Sequence, residues 1–157
     1  MTYTQIKKPL AHVLWAFALV SVGVAIGKEL SHRPAAAPIE PAAVPGQSKV
    51  VVYYMHGVPC RDCTSIEKAT ERIVHEEFAD AVQSGRMEFI SVNYLEQEQL
   101  ANKYKVGGNM VIAVPFPGGL EAEAVRMDKV MELVSTPAQL EDYIRQGLRR
   151  ALEGAGK

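Results

Sequence analysis

Both cysteines of the chain lie within Val58-Pro59-Cys60-Arg61-Asp62-Cys63. Ahead of them runs Val50-Val51-Val52-Tyr53-Tyr54, and behind them apolar residues recur at Ile66, Ala69, Ile73, Val74, Phe78, Ala81 and Val82. A β-branched run without alternation belongs to a strand covered on both faces, and the second spacing is that of one helix face. The chain must therefore pass from a doubly covered strand, through a short loop, into a helix that carries two thiols one turn apart. A Cys-X-X-Cys pair in that setting is most often redox-active. The start of a helix places unpaired amides and the positive end of its dipole beside the sulfur, which favours the thiolate.

Two cysteines in 157 residues cannot form a disulfide framework, so the fold must rest on a hydrophobic core. The length suits one domain with residues left for an appendage. A formal net charge of -1, with 22% charged residues, gives no electrostatic footprint for nucleic acid, which excludes that class of partner.

Residues 1–9 read as a short cytoplasmic terminus. Leu10 to Ile26 then runs 17 residues without a formal charge, taking His12 as neutral, against the roughly 17–25 that span a bilayer as a helix. Residues 10–27 are thus expected to form a transmembrane signal-anchor helix. Lys7 and Lys8 set the amino terminus inside and the remainder outside, though Lys28, His32 and Arg33 weaken that bias. A cleaved signal peptide ending near Ala25-Ile26-Gly27 is the alternative, and either way the domain is exported to the periplasmic side of a bacterial cell membrane. Residues 28–48 carry Pro34, Pro38, Pro41 and Pro45 among alanines, which excludes helix and predicts an extended linker on the order of 60 Å long.

The expected domain occupies residues 49–152, with residues 153–157 as a disordered tail. Strands are predicted over 49–55, 87–92, 110–114 and 122–127. Helices are predicted over 64–82, 96–104 and 130–134, the last capped by Asp128. A final helix starts at Thr136-Pro137, cap then proline in the first turn, and ends near Leu152. Strand, helix, strand, helix, hairpin, helix yields an α/β fold: a mixed four-stranded sheet with helices on both faces.

With the cysteine pair at the head of that order, the domain resembles the thioredoxin-like superfamily. More closely, Tyr53-Tyr54-Met55-His56-Gly57, Cys60-Arg61-Asp62-Cys63 and Ser65-Ile66-Glu67 resemble a bacterial thioredoxin-like family described as a subunit of a nitroaromatic–arsenical reducing system. The late segment Met127-Asp128-Lys129-Val130-Met131-Glu132-Leu133-Val134 is similar to one in that family. The resemblance implies a thiol–disulfide oxidoreductase or an electron-transfer subunit. Three positions depart from ordinary thioredoxins. Pro59 replaces the aromatic residue before the first cysteine. The buried acid under the cysteines would fall near Tyr54, which is no carboxylate base. The cis-proline facing the thiols would fall at Met110, where a cis bond costs about 2.5–4 kcal/mol and trans is expected. That leaves the thiols more open to a metal or a flat ligand.

Cys60, before the first turn, is the expected nucleophile, and Cys63, one turn in, resolves the mixed disulfide. Arg61 favours the thiolate and Asp62 opposes it. His56 admits three readings: a third ligand beside two thiolates for Cu(I) or Zn, a proton carrier in place of the missing acid, or a loop cap. His75 and Glu67 read as surface, and the methionines as packing, except Met110, which is expected near the thiols.

Three functions remain. The first is a tethered oxidoreductase, without cofactor, that meets a protein disulfide or a membrane redox or transport partner. The second is a binding module that holds a soft metal or As(III) on Cys60, Cys63 and possibly His56. The third is an adaptor whose disulfide only staples the loop.

Overall fold

The computed structural model describes residues 45–156. The expected terminus, the membrane helix and most of the linker lie outside them. Among the described residues no helix is long and apolar enough to cross a membrane.

The sheet is ordered β2-β1-β3-β4, with β1 at Lys49–His56, β2 at Met87–Asn93, β3 at Met110–Phe116 and β4 at Val125–Met127. β1 runs parallel to β2, with Val50 opposite Met87 and His56 opposite Asn93. It runs antiparallel to β3, with Lys49 opposite Phe116 and Met55 opposite Met110. β4 closes the hairpin on β3, pairing Val111 with Met127 and Ala113 with Val125. β1 lacks alternation because both of its faces are covered. Val50, Val52 and Tyr54 face one core cluster, with Ile66, Ile144 and Leu148. Val51, Tyr53 and Met55 face the other, with Leu100, Tyr104 and Met110. Residues 50 to 55 are all fully buried.

Helix α1 spans Arg61–Arg72 and starts three residues earlier than predicted, because Cys60 serves as its N-cap. The single helix predicted to residue 82 is interrupted. A π-helical turn at Ile73–Glu77 follows α1, Phe78 leaves helical geometry (φ -114°, ψ 27°), and a short α2 runs over Ala79–Gln83. The wider turn rephases the chain so that the adjacent Ile73 and Val74 are both fully buried. Gly85 ends the segment at φ 71°, a left-handed conformation that glycine adopts without a Cβ clash.

Helix α3 is Glu98–Lys103, α4 is Val130–Leu133 and α5 is Pro137–Ala155. α3 covers one face of the sheet, and α1 and α5 cover the other. Neither expected side-chain cap forms. The Thr136 hydroxyl donates to the Leu133 carbonyl (3.2 Å), and the Asp128 carboxylate accepts from Arg126 (2.8 Å). β4 is shorter than predicted. The expected tail also shortens, since α5 continues to Ala155, which is buried against the core. At the other end the linker stops sooner. The Gly46 N–H donates to the Gly118 carbonyl and the Gly118 N–H to Ser48 Oγ, both at 3.0 Å, so these residues are pinned to the turn between β3 and β4.

Arg145 of α5 grips Glu77 of the π-turn with two nitrogens, at 2.5 and 2.7 Å, and also pairs with Asp142. The Arg145 guanidinium holds the Glu77 carboxyl below the usual glutamate range. A carboxylate whose pKa is depressed by folding stabilises the fold above its unfolded value, roughly 4.3, and loses that contribution as pH falls through the folded value. Arg145→Gln is therefore expected to lower the thermal midpoint slightly at pH 7. The gap to wild type should close as pH drops below about 4, which melting curves over a pH series would check.

Candidate functional site

β1 delivers His56 and Gly57 to the edge of the sheet where the parallel strands end, and the chain turns through Val58 and Pro59 into α1. Cys60 and Cys63 are joined by a disulfide with Cα atoms 5.0 Å apart. The two sulfurs are unequally placed. Cys60 is exposed, between exposed Pro59 and exposed Arg61 and Asp62, whereas Cys63 is only 4% exposed. Cys60 Sγ accepts the Cys63 backbone N–H at 3.0 Å, and the Cys60 carbonyl accepts the Thr64 N–H at 3.1 Å. The first cysteine thus occupies the site where a helix start stabilises negative charge.

Tyr54 lies beneath the pair, fully buried, and its hydroxyl donates to the Cys63 carbonyl at 2.7 Å. Burial, and then the nearby Glu67 carboxylate, push that hydroxyl above the ordinary tyrosine range. It stays protonated and tethers the first turn of α1 to β1. Glu67 is half-buried and accepts the Ser91 hydroxyl at 2.5 Å, so it ties α1 to β2 instead of lying free on the surface.

His56 pairs through Nδ1 with the Gly57 carbonyl (3.2 Å) and stacks on Tyr54, with ring centroids 5.9 Å apart. Among the described residues no group of three His, Cys, Asp or Glu side chains is assembled to hold a metal ion. The His56 contact runs to the carbonyl of its own neighbour. The bond before Met110 is trans, since no cis peptide occurs among the described residues. Met110 is buried in the cluster with Tyr53 and Tyr104. The residue that reaches the sulfur is its neighbour: Asn109 Nδ2 donates to Cys63 Sγ at 2.7 Å, and Asn109 Oδ1 accepts the Gly57 N–H at 3.0 Å.

The sequence reading placed the loop before β3 beside the thiols but overlooked Asn109. The only signal was its position between Gly107-Gly108 and the strand, which says nothing of where an amide points. Gly57 was noted only as part of the Tyr53–Gly57 lead, without a packing role. Tyr94 covers it so closely that a Cβ there would sit 2.7 Å from Tyr94 Oη, so any larger residue at 57 must displace the tyrosine ring. The methionines at 55, 87 and 127 are buried as expected, while Met131 is 38% exposed.

A strand leading into a helix-capping Cys-X-X-Cys, with the sheet order and hairpin described above, decides the architecture. The fold is thioredoxin-like. Among solved structures the chain is similar to one described as the crystal structure of chloroplastic thioredoxin z, with 18% identity and a TM-score of 0.35, covering 58% of this chain and 80% of that one. No family model and no curated protein matches the chain, so the resemblance to the nitroaromatic–arsenical family gains no support. The thioredoxin-like assignment rests on the topology and on the place of the cysteines in it.

Proposed function

We propose that the protein is a thiol–disulfide oxidoreductase, or an electron-transfer subunit, working through Cys60 and Cys63. The observation that carries this reading is the unequal pair: an exposed sulfur held by an amide at a helix start, bridged to a buried one. In the reducing direction the Cys60 thiolate attacks one sulfur of a partner's disulfide. That bond breaks, and the electron pair leaves on the partner's other sulfur. The Cys63 thiolate then attacks Cys60 Sγ and releases the partner's second sulfur. Two electrons pass to the partner, and the two protons of the dithiol reach the released thiols by way of water. The oxidising direction is the same sequence reversed. In this proposal residues 10–27 form the membrane anchor, and the domain works on the extracytoplasmic side.

Equilibration with glutathione buffers of graded ratio tests the chemistry. A working pair opens and closes reversibly in the range of redox proteins, about -120 to -270 mV, and catalyses exchange between a model disulfide and dithiothreitol. A bridge that stays closed below about -300 mV, without turnover, would identify it as a structural staple. Membrane fractionation of the full chain, beside one lacking residues 1–27, checks the tether. Recovery of both in the soluble fraction would dismiss it.

A further inference from the structure

The second sulfur must become a nucleophile, yet the acids and bases around it among the described residues are committed elsewhere. The Tyr54 hydroxyl is committed to the Cys63 carbonyl, Glu67 accepts from Ser91 and His56 faces the Gly57 carbonyl. What Cys63 Sγ does have is the Val58 carbonyl at 4.0 Å and the Asn109 amide at 2.7 Å. The orientation of that amide is fixed by a second bond. The Gly57 N–H is a donor, so the Asn109 group facing it must be the oxygen, which leaves the NH2 toward sulfur. The two contacts suit two states of Cys63. A thiol can donate toward the carbonyl, and an anionic sulfur accepts the amide N–H as a charge-assisted bond, about twice as strong as a neutral one.

We propose that Asn109 is a third functional side chain of the dithiol site, whose amide N–H stabilises the Cys63 sulfur as it attacks the mixed disulfide. This rests on the thiol–disulfide reading of the site. In the step itself Cys63 gives its proton to water, and its sulfur bonds to Cys60 Sγ. The bond from Cys60 to the partner's sulfur breaks, and the electron pair departs on that sulfur. Asn109 neither gains nor loses a proton. It favours the anion over both the thiol and the disulfide, so it speeds resolution and shifts the couple toward the reduced form.

A symmetric chromophoric disulfide, dithiobis(nitrobenzoate), mixed with the reduced protein separates the steps. The first release of chromophore reports attack by Cys60, and the second reports resolution by Cys63. Asn109→Asp keeps an oxygen toward the Gly57 N–H and turns an acceptor toward the sulfur. Asn109→Ala removes both contacts. The expected result is a second phase slowed about tenfold in the alanine variant and more in the aspartate variant, with the first phase within about twofold of wild type. The equilibrium with glutathione should move about tenfold toward the disulfide, which is roughly 30 mV for this two-electron couple. An unchanged second phase in Asn109→Asp would overturn the proposal. So would equal slowing of both phases in both variants, since that marks a role in shaping the loop alone. A Cys60→Ser protein that retains the fast first phase would instead refute the reading of Cys60 as the attacking group.

Discussion

Cys60→Ser is expected to lower disulfide-exchange turnover by on the order of 10³-fold or more, whereas Cys63→Ser should leave a protein that attacks once and cannot finish. The asymmetry follows from burial and helix position. Cys60 is the exposed sulfur, and the amide that holds it belongs to Cys63. The serine at 63 keeps that backbone N–H, so the first attack survives. Without the buried thiol, the bond to the partner persists. Incubation with a disulfide-containing protein, followed by non-reducing electrophoresis, should show an adduct of the two chains for Cys63→Ser that dithiothreitol dissolves, and none for Cys60→Ser. Adducts through position 63 in the Cys60→Ser protein would reverse the roles assigned here.

The second large effect concerns two adjacent tyrosines that differ only in which face of β1 they occupy. Both are fully buried. The Tyr54 hydroxyl donates to the Cys63 carbonyl, while the Tyr53 hydroxyl has no hydrogen-bond partner among the described residues. Losing a satisfied buried hydrogen bond costs about 1–3 kcal/mol, and removing an unsatisfied group costs little or nothing. Tyr54→Phe should therefore lower unfolding stability by that amount and loosen the first turn of α1. Tyr53→Phe should be neutral or slightly stabilising. Urea unfolding of the two variants side by side measures the contrast, and equal losses would contradict it. The same pair explains why ordinary core arithmetic is a poor guide here, since area buried is alike and the hydroxyl decides.

Much of this was legible along the chain. The doubly covered β1, the helix after the cysteines and the hairpin at Pro117-Gly118-Gly119 are each written in a short stretch. Apolar spacing and turn chemistry are local, and the parallel and antiparallel pairings of consecutive strands follow from the connections between them. The break at Phe78 was not legible, because the residues on both sides keep helical spacing, and only packing of Ile73 and Val74 against the sheet selects the wider turn. The extra turn of α5 escaped notice for a related reason: Ala155 is buried only because the helix lies along the core.

At the site the division is sharper. From the residues came the pair itself, its place at a helix start and which of the two thiols is the more exposed. The tertiary structure decided what surrounds the second sulfur. Met110 is buried with Tyr53 and Tyr104, and its neighbour Asn109, 46 positions after Cys63, supplies the contact. Successive residues of a strand point to opposite faces, so a shift of one position exchanges a buried thioether for a polar amide. Which of two neighbours meets a distant sulfur depends on how β3 registers against β1, and that is settled only when the sheet forms.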